Sequence, residues 1–115
     1  MTDPEAMAAN ALRASEFLKA LANSHRLLIL CHLAEGERSV SELEHLLKLR
    51  QPTLSQQLAR LREDALVETR RCGKMIFYRL ASTDARQVIE LLYQLFCAPE
   101  AEVAPATVRT RETAR

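Results

Sequence analysis

Apolar residues recur at helical spacing along most of the chain and lose that spacing in one place. The exception is "ALVETRRCGKMIFYRLAS", residues 65–82. There Val67, Thr69, Ile76, Phe77 and Tyr78 favour strands. Gly73 and Lys74 stand between the two runs, where a hairpin turns. A chain with one such interruption is mainly helical with one small β-hairpin. Only two glycines and few aromatics are available, which argues against an all-β fold.

The helices are punctuated by their own caps. "EAMAANALRASEFLKALA" places Ala8, Leu12, Ala14, Leu18 and Leu21 near helical period, a first helix. "NSHRLLILCHLAEG" restarts the chain with Asn23 or Ser24 as N-cap and Gly36 as terminator. "SVSELEHLLKL" is a short third helix in which Ser39 and Glu42 have capping-box spacing. "RQPTLSQQLARLRED" is the fourth, with Pro52 in its first turn and a stripe of Leu54, Leu58 and Leu61. After the hairpin, "STDARQVIELLYQLFC" is the fifth, capped by Ser82 or Thr83 and ending before Pro99. Residues 1–98 therefore read as one domain. Residues 99–115, with prolines and no apolar period, read as a disordered tail that assists DNA contact weakly through Arg109, Arg111 and Arg115.

Composition removes several classes of function. Hydrophobic residues at 48% suffice for one core, and a net charge of +1 announces no global attraction to nucleic acid. No apolar run approaches the ~18 residues of a membrane span, and no secretory signal begins the chain, so a cytoplasmic location is expected. Cys31, Cys72 and Cys97 are odd in number and widely spaced, unlike a secreted disulfide framework. There is no Cys-x-x-Cys, no Ser/His/Asp set and no phosphate loop, so an enzyme is not expected. His32 and His45 read as surface or rim residues, because no histidine–cysteine set has zinc spacing.

A short helix joined tightly to an amphipathic one, followed by a basic hairpin, is the plan α-α-α-α-β-β-α of a winged helix-turn-helix. The second helix of the pair enters the major groove in such modules. On the fourth helix the face opposite the leucines carries Thr53, Gln56 and Arg60, flanked by Ser55 and Gln57. Glutamine matches the N6/N7 edge of adenine, and arginine matches guanine or phosphate. Gln51 stands at the helix start, where backbone N–H groups favour phosphate. Arg70, Arg71 and Lys74 surround the hairpin turn, with Arg79 beyond it, a wing suited to duplex phosphates. The fifth helix has apolar residues at 88, 89, 91, 92, 95 and 96, more than one face requires. A homodimer through the terminal helices uses the surplus and matches a two-fold operator.

"KALANSHRLLIL", "QPTLSQQLARLRED" followed by "ALVETRR", and the wing ending "FYRL" together resemble the ArsR/SmtB family of dimeric winged-helix repressors. The likeness runs over roughly residues 12–97. Arg50 departs from the small N-capping residue common in the family. The resemblance implies an effector site, and family members differ in what they sense. Where arsenic sensors carry Cys-Val-Cys, this chain has Ser39, Val40 and Ser41; where zinc sensors use Asp and His on the last helix, it has Asp84 and Glu90 but no histidine. Neither metal site is expected.

Cys31 among leucines, and Cys97 beside Leu95 and Phe96, each read by themselves either as a small buried apolar residue or as a reactive thiol. The pair resembles that of the BigR/SqrR/YgaV subgroup, which responds to persulfides. That resemblance implies redox-sensing roles for Cys31 and Cys97, joined by an intramolecular di- or polysulfide, and release from operator DNA. It implies no cofactor. The alternative is an ArsR-type repressor sensing metal, haem or a general oxidant. Cys72, in the wing beside basic residues, reads as an incidental thiol.

Overall fold

The computed structural model describes residues 3–97. Residues 98–115, including the expected tail and its arginines, lie outside them. Helix α1 (Pro4–Leu21) begins at Asp3, whose side chain accepts from the Ala6 N–H at 3.1 Å. Helix α2 (Ser24–Glu35) is capped by Asn23, not Ser24, and ends at Gly36. Strand β1 (Arg38–Ser39) leads into helix α3 (Val40–Leu47). Helix α4 (Gln51–Glu63), strands β2 (Val67–Cys72) and β3 (Met75–Leu80), and helix α5 (Thr83–Phe96) complete the order.

At α3 the Ser39 hydroxyl accepts from the Glu42 N–H while the Glu42 carboxylate accepts from the Ser39 N–H. An eight-residue helix is marginal by itself in water. The reciprocal cap holds one end, and fully buried Leu43 pins the middle. Lys48, in the left-handed region at φ 55°, stops the helix and turns the chain into α4. Arg50 stands at the N-cap of α4 and offers no side-chain cap bond.

The hairpin turns at Gly73–Lys74, with Cys72 opposite Met75. Gly73 has φ 63°, the positive value that a two-residue II′ turn requires at its first central position and that glycine adopts without cost. The wing is not two-stranded, as the sequence suggested. β1 pairs antiparallel with β3, Arg38 opposite Tyr78 and Ser39 opposite Phe77, giving the order β1-β3-β2. The added strand ties the wing to the start of α3.

The core lies where α2, α3, α4 and α5 meet the base of the sheet. Ile29, Leu30 and Leu33 of α2, Leu43 of α3, and Leu54 and Leu61 of α4 are almost wholly buried. Each such side chain stabilises the fold by about 1.5–3 kcal/mol relative to exposure. The predicted leucine stripe of α4 is therefore the face that seats it. In α1, by contrast, only Ala20 and Leu21 are buried. No described helix is long and apolar enough to cross a membrane.

Candidate DNA interface and thiol pocket

Seating α4 by its leucines presents the opposite side outward. Gln51, Ser55, Gln56 and Arg60 are exposed and Thr53 is half-buried. Gln51 Nε2 donates to Ser55 Oγ at 3.2 Å, and Arg60 Nε donates to Asp64 at 2.8 Å. Gln57 departs from the other polar residues of α4. It is half-buried, and its Oε1 accepts from Arg26 Nη1 at 2.9 Å. The sign was legible: Gln57 lies three residues after Leu54 and four before Leu61, on the flank of the buried stripe.

In the wing, Arg71 and Lys74 are exposed and have no ion-pair partner among the described residues. Arg70 is engaged by Glu37 through two bonds, 3.1 and 2.8 Å, and its guanidinium lies 4.8 Å from the centre of the Phe77 ring. The Arg70 partnership holds the Glu37 carboxyl below its ordinary range. Arg79 pairs across the strands with Glu68 at 2.6 Å. Sequence reasoning missed Glu37, since nothing local marks a residue as the partner of one 33 positions away.

A second site is built by α2 and α5. Helices α2 and α5 pack together, and Arg86 Nη1 of α5 donates to the Ala34 carbonyl of α2 at 3.1 Å. Between them lies an open hollow of about 770 Å³ whose lining includes Leu28, Cys31, His32, Glu35, Tyr93 and Cys97. Cys31 is half-buried on α2; Cys97, the C-cap of α5, is exposed. Both thiols are free. Burial is the first cause that raises the Cys31 pKa, and the charges of Cys97 and then Glu35 raise it further. Cys72 is exposed on the wing, apart from this hollow.

Of the positions matching known metal sites, Ser39 is the cap of α3. Among the described residues no group of three or more His, Cys, Asp or Glu is placed to hold a metal.

Comparison with known proteins decides the family. Residues 23–69 match the family "Bacterial regulatory protein, arsR family", and the biofilm growth-associated repressor of Agrobacterium fabrum is 56% identical over 95 residues, 83% of this chain and 81% of that protein. The chain belongs to the arsR family. The transcriptional activator HlyU of Vibrio cholerae is 50% identical over 91 residues, 79% of this chain and 84% of its own length. The structure of reduced HlyU matches with a TM-score of 0.79, at 48% identity over 82% of this chain and 99% of that one. The transcriptional repressor BigR of Xylella fastidiosa matches at 0.76, with 46% identity over 89% of this chain and 99% of that one. The winged-helix fold expected for the family is thus the fold of this chain.

Proposed function

We propose that this arsR-family chain is a homodimeric repressor that binds operator DNA through α4 and the wing, and that reactive sulfur releases it by joining Cys31 to Cys97. The observation that carries the sensing half is that both thiols open into one hollow between α2 and α5. The DNA half is supported by the outward face of α4, the unpaired Arg71 and Lys74, and the kinship with a repressor at 56% identity.

Exposed Cys97 reacts first. Its thiolate attacks the outer sulfur of a persulfide R–S–SH, the S–S bond breaks, RS⁻ leaves, and Cys97–S–SH remains. The Cys31 thiolate then attacks Cys97 Sγ and expels HS⁻, leaving a disulfide. With an organic trisulfide R–S–S–S–R as donor, Cys97 attacks the central sulfur, expels RS⁻ and becomes Cys97–S–S–S–R; Cys31 attack on the middle sulfur of that adduct expels a second RS⁻ and leaves a trisulfide. The protein thiols are oxidised and the donor sulfur is reduced. A direct disulfide requires Cα atoms within about 7 Å, whereas an inserted sulfur relaxes that limit, so an open hollow favours sulfane donors over peroxide. The bridge fixes the end of α5 to α2. A hundredfold loss of operator affinity needs about 2.7 kcal/mol, an ordinary coupling energy.

The test measures operator affinity for wild type, Cys31→Ser and Cys97→Ser, with a persulfide donor and with peroxide, beside mass spectrometry of the reacted protein. Release by persulfide that persists in either serine variant, or absence of a Cys31–Cys97 crosslink, rejects the two-thiol switch. Absorbance after adding haem or zinc tests those alternative effectors. The 50% identity to an activator supports a second reading, activation; a promoter reporter that falls silent when the gene is deleted selects it.

A further inference from the structure

Helix α2 turns Arg26, Ile29, Leu30 and Leu33 to the core on one face, and the first of these is a charge. Arg26 is only 9% exposed. An ionised side chain so placed is costly unless its donors are matched. Here they are matched by two different helices. Nε donates to the Ala20 carbonyl at 2.7 Å and Nη2 to the Lys19 carbonyl at 3.2 Å, both at the end of α1. Nη1 donates to Gln57 Oε1 of α4 at 2.9 Å.

We infer that Arg26 and Gln57 form a strap that fixes the DNA-reading helix α4 to the carbonyl end of α1, so that Gln57 is a positioning residue and not a base-reading one. The inference rests on the DNA-binding reading and reassigns one of its residues. Its physical content is pre-organisation. The last carbonyls of a helix lack the usual i+4 partner, here relieved in part by Ala22 N–H donating to the Lys19 carbonyl at 3.3 Å, and a guanidinium holds its donors in a rigid plane. One planar group bonded to both helices sets their relative angle. If α1 belongs to the dimer contact, the strap also carries the placement of one subunit's α4 to the two-fold axis.

Gln57→Ala and Gln57→Glu separate the roles, and neither removes core volume. Two measurements are made on the full chain: affinity for the footprinted segment of its own promoter and for single base-pair variants of it, and hydrogen exchange of the peptide spanning Lys19–Asn23. A strap predicts that Gln57→Ala weakens binding roughly tenfold, the size of one hydrogen bond to a charged group, by the same factor on every DNA variant. It also predicts faster exchange at the α1–α2 joint. Gln57→Glu keeps the acceptor, so it restores slow exchange and binds more tightly than Gln57→Ala despite a new negative charge on the DNA side. A base-reading role predicts the reverse: lost discrimination at one base pair, unchanged exchange, and Gln57→Glu the weakest of the three. That pattern overturns the strap. Wild type failing to bind at low salt rejects the DNA reading, and the exchange pattern then decides the strap by itself.

Discussion

At the scale of the residue, Cys31 is the informative side chain because every influence on it opposes the reactive form. Burial, the Cys97 charge and the Glu35 carboxylate all hold its proton. Cys97, by contrast, is exposed at the mouth of the same hollow and open to reagents. We predict that alkylation at neutral pH, followed by peptide mass spectrometry, modifies Cys72 and Cys97 before Cys31. The Cys31 rate should keep rising with pH beyond the ordinary thiol range, and Cys31 modified first would contradict the environment described. The same shift has a consequence for stability. The folded state binds this proton more tightly than the unfolded chain, so the contribution is complete below the ordinary thiol pKa and is lost as pH rises through the raised one. Denaturant titrations at alkaline pH should show wild type losing stability more steeply than Cys31→Ser.

At the scale of the element, the wing has its charge partly accounted for before DNA arrives. Glu37 occupies Arg70 from the loop between α2 and β1, leaving Arg71 and Lys74 as wing cations with no ion-pair partner among the described residues. Glu37→Gln should release Arg70 to phosphate, raise operator affinity at low salt several-fold, and steepen the log–log salt slope by about 0.9, the contribution of one further phosphate contact. An unchanged slope shows that Arg70 does not reach DNA. Elements such as α3 and α4 were legible because their signals are local: the Ser39–Glu42 spacing, Pro52, and leucines at one helical period. β1 was not, because two residues carry no periodicity and their pairing depends on β3, some 40 positions away in the chain. The thiol hollow was half legible. Neither Cys31 nor Cys97 declares itself within its own helix; only the family resemblance links them in the sequence, and the packing of α2 on α5 is what lines one hollow with both. Arg26 had a readable sign, a charge within an apolar stripe, but its acceptors on α1 and α4 come from the tertiary fold.

At the scale of the whole molecule, the described chain leaves apolar surface on its two terminal helices that its own core does not use. Leu12 is 64% exposed, Leu95 63% and Phe96 80%. On the proposed dimer, a second copy would cover this surface with the symmetry that a two-fold operator requires. Sedimentation should therefore report twice the 13.0 kDa chain mass, and Leu12→Glu should shift the particle toward the monomer and weaken operator binding at equal chain concentration. A wild type that sediments as a monomer rejects the dimer. The exposure of most of α1 has a further consequence, in the life of the protein after synthesis. Ahead of Ala20 only Phe17 packs, and only in part, against the core, so on the proposed dimer the protection of α1 depends on concentration. Limited proteolysis at exposed Arg13 and Lys19 should then slow as chain concentration rises, and the supply of regulator would be steadied by its own accumulation.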